Sequence, residues 1–274
     1  VLSDLNHSFF KLKKNSEGKI FGKKIFIDSN GFRIPKKNFK YTTDLSSIFF
    51  IGDSVTFGNG IDEEDTFVGK LRSELINFNI YNSAVPGYNV QQYLRTVSIV
   101  NDFDNIKKIY YIFTLNDVAK MNDQAVQMVD YVRKLKEQSR RGLGIVYYLN
   151  VFLRNKSYFY MYIKGLATDP SKRYFNHMLL TYKEEMEFNL TKNYLMKLYK
   201  VAKKKNMDLK VIILPYEYQT RKNNCFGDVI IPQTKISNVL NSLKIKYEDY
   251  TKLFCNSKNP KTLFYKFDPM HLSK

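Results

Sequence analysis

The feature that most constrains the fold is an alternation of short apolar runs with segments whose apolar residues recur at helical spacing. The strand-type runs cover residues 47–51, 79–83, 108–114, 209–214 and 245–247, and the helical patterns cover residues 66–76, 90–100 and 236–243. Strands interleaved with helices predict a parallel sheet that helices cover on both faces. We therefore expect an α/β protein: a three-layer α/β/α sandwich with a mainly parallel, five-stranded sheet.

Two segments depart from this alternation. In residues 1–45, two short β-type runs meet at Asn30-Gly31, a pair that favours a tight hairpin turn, which predicts an N-terminal extension with a β-hairpin packed on the main domain. The main domain is predicted to span residues 46–274, with a helical, basic and aromatic insertion around 119–200. The insertion's Tyr and Phe residues either make core contacts against the sheet or form a face that touches a membrane or lines an acyl or glycan groove.

The chain is strongly basic. Its 44 Lys and Arg residues against 26 Asp and Glu give a net charge of +18, which suits nucleic acid, an anionic membrane surface or an acidic glycan as partner. The alternative is a compositional bias toward Lys, Asn, Ile and Tyr on solvated faces. Because zinc-finger spacing, an RNP-like strand and a convincing helix-turn-helix are all missing from the sequence, nucleic acid is not expected as a partner.

The redox state of the two cysteines would indicate the cellular compartment of the protein. Cys225 and Cys255 have no CxxC partner and no nearby histidine, which argues against zinc. Either both are buried free thiols, or they form one disulfide between two loops, which would imply an oxidising compartment. No apolar run approaches the ~18 residues that span a bilayer. Since the chain begins at Val1 without a signal-like segment, we expect a soluble fragment of a longer protein.

Ligands bind outside the carboxyl ends of the strands in open parallel sheets, so the residues that follow each run are candidates for a site. They are Gly52-Asp53-Ser54, Ala84-Val85-Pro86-Gly87, Leu115-Asn116-Asp117 and, in the final FDPMHLSK, Asp268 and His271. Together they supply a hydroxyl, a backbone donor, a carboxamide, and an imidazole with a carboxylate at one rim.

This set of groups meets the needs of acyl transfer. A serine must lose its proton to attack a carbonyl, a neutral imidazole can take it, and a carboxylate fixes the tautomer of the imidazole. Asp268 and His271 are close enough to meet in a turn that Pro269 stiffens. Of the three histidines, His7 lies in the extension and His177 in the insertion, so only His271 is expected at the rim.

Four blocks in sequence order, IGDSVTFG, NSAVPGYN, TLND and DPMHLS, resemble the SGNH hydrolase family, also called GDSL esterases and lipases. The resemblance covers most of the chain from residue 46 onward and implies a flavodoxin-like fold. It implies that Ser54 is the nucleophile, His271 the base, and Asp268 the residue that orients His271. It further implies an oxyanion hole made by the backbone N–H groups of Ser54 and Gly87 and the side chain of Asn116. No cofactor or metal ion is expected.

The third block departs from the family's Gly-x-Asn-Asp, because Thr114 occupies the glycine position. A side chain there is expected to narrow the pocket or shift the loop that carries Asn116. Asp53 and Asp117 are expected to make loop and capping hydrogen bonds.

The hairpin sequence DSNGFR resembles that of SGNH domains in bacterial surface-polysaccharide systems, some of which remove O-acetyl groups and others of which add them with a membrane acyl donor. We therefore expect an ester hydrolase that acts on O-acetylated carbohydrate through an acyl-enzyme at Ser54. The alternatives are an O-acetyltransferase of a surface polysaccharide and an inactive domain that binds an acidic polysaccharide. A lipase or thioesterase is a weaker hypothesis, because no apolar pocket can be read from the sequence.

The expected partners are an acylated carbohydrate or other small ester, and a membrane acyl-donor protein or an anionic membrane surface. The expected location is extracytoplasmic, either periplasmic or anchored to a membrane through a segment outside this sequence.

Overall fold

The computed structural model describes residues 2–4, 9–100, 103, 105–119, 144–183, 185–222 and 224–274. Its strands are β1 (Leu2–Asp4), β2 (Phe9–Lys11), β3 (Ser16–Ile20), β4 (Lys23–Ile27), β5 (Arg33–Ile34), β6 (Ser46–Ile51), β7 (Phe78–Asn82), β8 (Ile106–Phe113), β9 (Asp208–Ile213) and β10 (Lys246–Asp249). Strands β3 to β10 form one mixed sheet in the order β10-β9-β8-β6-β7-β5-β4-β3, and β1 pairs with β2 separately.

Strands β6 to β10 form the predicted parallel unit. Every neighbouring pair among them is parallel. Read from β7, their order across the sheet is β7-β6-β8-β9-β10, which is the flavodoxin-like arrangement. The predicted α/β fold with five parallel strands is confirmed, and the strand bounds differ from the predicted ones by one or two residues.

The N-terminal extension continues this sheet instead of packing on it as a separate hairpin. β3 pairs with β4, β4 with β5 and β5 with β7, all antiparallel, so three strands widen the five-stranded sheet to eight. The tight two-residue turn lies at Phe21-Gly22, where both φ angles are positive (49° and 82°), as a type I′ turn requires. At Asn30-Gly31 the connection between β4 and β5 is longer, and in this wider loop Oδ1 of Asp28 accepts hydrogen bonds from the N–H groups of Asn30 and Phe32.

The described helices are α1 (Ser54–Phe57), α2 (Phe67–Glu74), α3 (Val90–Val100), α4 (Gly144–Lys156), α5 (Tyr158–Ala167), α6 (Pro170–Lys183), α7 (Glu185–Lys204), α8 (Ile231–Ser242) and α9 (Thr251–Cys255). No helix within the described residues is long and apolar enough to cross a membrane. The helix predicted over 236–243 begins five residues earlier, with a proline in its first turn, a position that suits a residue without an N–H.

The predicted helical insertion divides into parts with different packing. Residues 120–143 lie outside the described residues. α7 packs against α3 and β9 and so covers the sheet as the crossover helix between β8 and β9. α6 buries Phe175 and Tyr182 in the main core, as the core hypothesis for the insertion's aromatic residues expects, whereas α5 has no buried side chain.

Candidate active site

A sharp transition from β6 to α1 places Ser54 at the carboxyl rim of the sheet. The strand ends at Ile51, and the helix begins at Ser54 after two residues. Asp53 caps the helix, since its Oδ1 accepts a hydrogen bond from the N–H of Val55 at 2.9 Å. Only glycine fits at position 52, because a Cβ there would lie 2.2 Å from Oγ1 of Thr56. The Gly-Asp-Ser sequence thus presents the serine hydroxyl in a fixed position.

The side chains of Ser54, His271 and Asp268 lie together at this rim. Nε2 of His271 is 2.8 Å from Oγ of Ser54, although the two residues are 217 positions apart in the sequence. Nδ1 of the same ring is 2.9 and 3.0 Å from the two carboxylate oxygens of Asp268. Asp268 Oδ1 also accepts hydrogen bonds from the N–H groups of Met270 and His271, at 2.9 and 2.8 Å. These bonds hold the carboxylate and the imidazole in one turn.

The electrostatics of this pair favour a basic imidazole and an ionised carboxylate. Burial by itself lowers the pKa of His271, but the hydrogen bond and the charge of Asp268, with a contribution from Asp53, raise that pKa above its ordinary value of 6.5. Burial by itself raises the pKa of Asp268, but the hydrogen bonds and charge of His271 and the N–H of Met270 bring it below its ordinary value. Asp268 therefore remains ionised at neutral pH and stabilises the protonated form of His271.

Asn116 is held by hydrogen bonds at both ends of its amide. It lies in a short 3₁₀ turn directly after β8, its Nδ2 donates to Oδ2 of Asp53 at 2.9 Å, and its Oδ1 accepts from the hydroxyl of Tyr216 at 2.9 Å. The second N–H of Nδ2 has no acceptor among the residues that the structure describes. The amide is therefore fixed in orientation and keeps one donor for a ligand.

Thr114 belongs to the hydrogen-bond network around Asp53. Its side chain is buried, and its hydroxyl donates to Oδ2 of Asp53 at 3.0 Å. Thr114 thus supports the carboxylate that also accepts a hydrogen bond from the amide of Asn116.

The loop after β7 carries Gly87. Its φ is +82°, a left-handed conformation that favours glycine, and a Cβ there would lie 3.3 Å from the ring of Phe10. The N–H of Val85 donates to the carbonyl of Gly52 at 3.0 Å and ties this loop to the one that precedes Ser54. Among the described residues no carbonyl or side chain accepts the N–H of Gly87, and the first N–H of a helix such as α1 has no intrahelical acceptor.

Asp53 and Asp117 are fully buried carboxyl groups that brace these loops. Asp117 accepts hydrogen bonds from the N–H of Thr114 at 3.1 Å and from the hydroxyl of Tyr93 at 3.0 Å. Burial raises the pKa of Asp53, and burial together with the charge of Asp53 raises the pKa of Asp117. The predicted loop and capping hydrogen bonds of both residues are confirmed.

Tyr216 is the main site residue that the sequence did not single out. It is fully buried and comes three positions after the end of β9. Its position shortly after a strand-type run was the one feature of the sequence that could have identified it as a site residue. Its neighbour Glu217 donates its backbone N–H to the carbonyl of Pro269 at 2.8 Å. This contact joins the loop after β9 to the turn that carries His271.

The remaining named residues lie elsewhere. Cys225 and Cys255 form a disulfide with an Sγ–Sγ distance of 2.18 Å, so the alternative of two free thiols does not describe the structure. His177 lies on α6, and His7 is outside the described residues.

No family model matches this sequence, and no curated protein matches it. Similar solved structures include a lipase/acylhydrolase from Enterococcus faecalis, with 10% identity, 84% of this chain and 88% of that chain covered, and a TM-score of 0.47. A lipolytic protein of the G-D-S-L family from Veillonella parvula has 13% identity, 83% and 90% coverage, and a TM-score of 0.46. The acetyl xylan esterase AlAXEase has 13% identity, 83% and 91% coverage, and a TM-score of 0.44.

Proposed function

We propose that this chain is a serine ester hydrolase in which Ser54 is the nucleophile, His271 the general base and Asp268 the residue that orients His271. The observation that carries the proposal is the continuous contact from Asp268 through both nitrogens of His271 to the hydroxyl of Ser54, with bonds of 2.9 and 2.8 Å. An imidazole between a carboxylate and a serine hydroxyl is the arrangement that activates a serine for acyl transfer.

The first half of the reaction follows from these contacts. Oγ of Ser54 attacks the carbonyl carbon of the ester while its proton passes to Nε2 of His271, and the imidazolium is stabilised by Asp268. In the tetrahedral intermediate the former carbonyl oxygen carries the negative charge. Collapse of the intermediate breaks the bond to the alcohol, which leaves with the proton from His271, and the acyl group stays on Ser54.

We assign the oxyanion hole to the N–H groups of Ser54 and Gly87 and to the side chain of Asn116. Support for this assignment comes from the rigid amide of Asn116 and from the lack of any other described acceptor for the N–H of Gly87. Donors that are already oriented stabilise the developing charge without reorganisation, which is why such groups contribute strongly to the rate.

In the second half, water loses a proton to His271 and attacks the acyl carbon, and the released Oγ of Ser54 recovers that proton. A sugar hydroxyl in place of water would make the same acyl-enzyme an acyltransferase. We propose hydrolysis of O-acetyl esters on carbohydrate as the activity, which rests on the resemblance of the DSNGFR hairpin to surface-polysaccharide systems.

Turnover of p-nitrophenyl acetate tests the reaction class. We expect the wild type to be active and Ser54→Ala to lose about 10³-fold or more of kcat/KM while it keeps its fold by circular dichroism. Ser273→Ala is the matched control, because Ser273 is a half-buried serine near the same turn whose hydroxyl donates to the carbonyl of Thr262. Equal activity in Ser54→Ala would contradict the proposal, and an inactive wild type that binds acidic glycan would favour the binding domain.

Acetate release tests the substrate class. We expect acetate from an O-acetylated polysaccharide and slower turnover of p-nitrophenyl octanoate than of p-nitrophenyl acetate. Preference for the octanoate would favour a lipase instead. Transfer of the acetyl group to an added polysaccharide, in excess of hydrolysis, would favour the O-acetyltransferase.

We also propose an extracytoplasmic location. The Cys225–Cys255 disulfide supports it, because disulfides persist in oxidising compartments. Two free thiols in protein recovered from its native compartment would contradict this location.

A further inference from the structure

The most exposed apolar surface of the described residues lies on helices α4 and α5. Nine of the 16 exposed large apolar side chains are found within residues 148–166. They are Tyr148, Leu149, Phe152, Tyr158, Phe159, Met161, Tyr162, Ile163 and Leu166, which we call the α4–α5 face. Contiguous apolar surface of this kind marks an interaction site more often than an accident of composition.

The pattern of these residues is that of an amphipathic helix. On α5 the side chains of Phe159, Tyr162, Ile163 and Leu166 follow the spacing i, i+3, i+4, i+7 and so share one side of the helix. The two helices are joined by polar contacts on their inner side, since Asn150 accepts hydrogen bonds from the hydroxyl of Tyr160 and, at 2.7 Å, from the Lys164 ammonium. The apolar side therefore points outward while the polar side is used to hold the pair together.

All charged side chains of helices α4 and α5 are cationic. Residues 144–167 contain Arg154, Lys156 and Lys164 and no Asp or Glu, and the Lys266 ammonium adds a further cation 4.7 Å from the ring centre of Tyr162. Aromatic side chains together with Lys and Arg are the composition of helices that lie in the interface of an anionic bilayer. A second copy of the chain is a poorer occupant, because a symmetric contact would bring these like charges together.

The α4–α5 face adjoins the turn that carries the proposed catalytic residues. Tyr162 packs edge-on against Phe267, with ring centres 5.9 Å apart, and Phe267 directly precedes Asp268. A Cβ at Gly165 would lie 2.8 Å from the same ring, so α5 is in close contact with this turn. A surface bound to this face would lie beside the site.

We propose that the α4–α5 face docks on the surface of an anionic lipid bilayer and places the Ser54 site next to that surface. The apolar side chains enter the boundary of headgroups and acyl chains, while Arg154, Lys156 and Lys266 contact the lipid phosphates. The docking is independent of the ester chemistry, so it does not require the proposed function to be correct.

Co-sedimentation with lipid vesicles tests the proposal. We expect the full chain to bind vesicles of phosphatidylcholine and phosphatidylglycerol (70:30) at low salt, to bind pure phosphatidylcholine weakly, and to lose binding in about 0.5 M salt as charges are screened. Phe159→Glu should lower the partition coefficient about tenfold or more, because it replaces an inserted ring with an anion.

Ile76→Glu is the matched control. Ile76 is 74% exposed, as against 75% for Phe159, and it lies between α2 and β7 at the opposite rim of the sheet. The same change of charge there should leave vesicle binding intact, and both variants should keep wild-type turnover of the soluble p-nitrophenyl acetate.

Three results would overturn the proposal: no binding of the wild type to the anionic vesicles, equal loss of binding in both variants, or a wild-type dimer in solution that Phe159→Glu dissociates. Ser54→Ala should bind vesicles like the wild type, which separates this inference from the proposed activity.

Discussion

At the scale of single residues, the site depends on an imidazole whose two nitrogens have different partners. Nδ1 of His271 faces the carboxylate of Asp268, and Nε2 faces the hydroxyl of Ser54. A proton can therefore be accepted from the serine only when the ring is neutral, and the carboxylate decides at which pH that occurs.

The pH profile of the reaction tests this arrangement. Asp268 raises the pKa of His271 above 6.5, so the base is protonated and inactive at lower pH. The plot of kcat/KM against pH should therefore rise with a midpoint above pH 6.5 and level off at higher pH. Asp268→Asn removes the charge, so the midpoint should move to lower pH while the plateau falls about 10³- to 10⁴-fold. An unchanged midpoint in the variant would show that Asp268 does not control the imidazole.

Tyr216→Phe tests whether the hydroxyl of Tyr216 positions Asn116. Loss of an oxyanion donor itself costs about 10²- to 10³-fold in rate, so loss of its support should lower kcat by about tenfold and leave KM unchanged. Tyr182→Phe is the control, because it deletes an equally buried hydroxyl that donates to the carbonyl of Leu115. Equal effects of the two variants on kcat would assign Tyr216 a purely structural role.

At the scale of elements, the loop after β7 is held in a conformation that only glycine adopts without strain. Gly87 and Gly22 both have a φ of +82°, but Gly87 lies at the site, and Gly22 lies at the tip of the β3–β4 hairpin with open space around it. Comparison of alanine variants at these two positions therefore separates the cost of backbone strain from an effect on catalysis.

We expect Gly87→Ala and Gly22→Ala each to cost about 1–2 kcal/mol of unfolding free energy, since both force an alanine into the left-handed region. Only Gly87→Ala should lower kcat/KM, because it shifts a proposed oxyanion donor. Urea unfolding and p-nitrophenyl acetate kinetics measure the two effects. A similar loss of activity in Gly22→Ala would mean that stability alone explains the result.

The elements also show what the sequence could and could not predict. The five parallel strands and Ser54 could be placed because strand-type runs are followed directly by polar residues at one rim. Asp268 and His271 could be placed because His271 follows an aspartate by three positions and is the one histidine in the sequence outside the extension and the insertion. Tyr216 could not be assigned to Asn116, because that contact joins residues 100 positions apart and depends on the path of the loop after β9. The turn at Phe21-Gly22 was missed because a phenylalanine with positive φ is not a usual turn signal.

At the scale of the whole molecule, the extension and the C-terminal segments brace the sheet that carries the site. Arg33 on β5 is fully buried and donates to the carbonyls of Gly58 and Ile61, at 2.8 and 2.6 Å, just beyond α1. The pKa of Arg33 is lowered by burial to about 10, so the guanidinium remains charged at neutral pH. The added strands therefore fix the far end of the helix that begins at Ser54.

The disulfide links the segment between β9 and α8 to the last residue of α9. Cys225 and Cys255 are 30 positions apart, and closure of a loop of that length contributes about 3 to 4 kcal/mol in the chain-entropy model. Reduction, or the double change Cys225→Ser and Cys255→Ser, should lower Tm and leave activity at 25 °C largely intact. Dithiothreitol should have no further effect on the double variant. An unaltered Tm in wild-type protein whose thiols titrate as reduced would contradict this role.

The most direct test of the proposed mechanism is mass spectrometry of the protein after treatment with a serine-directed fluorophosphonate. We expect a single stoichiometric adduct on Ser54 in the wild type and strongly slowed labelling in His271→Ala, because the adduct forms only when the hydroxyl is activated by its base. An unlabelled Ser54, or an adduct on Ser54 that forms equally fast without His271, would contradict the proposal that these two residues act as nucleophile and base.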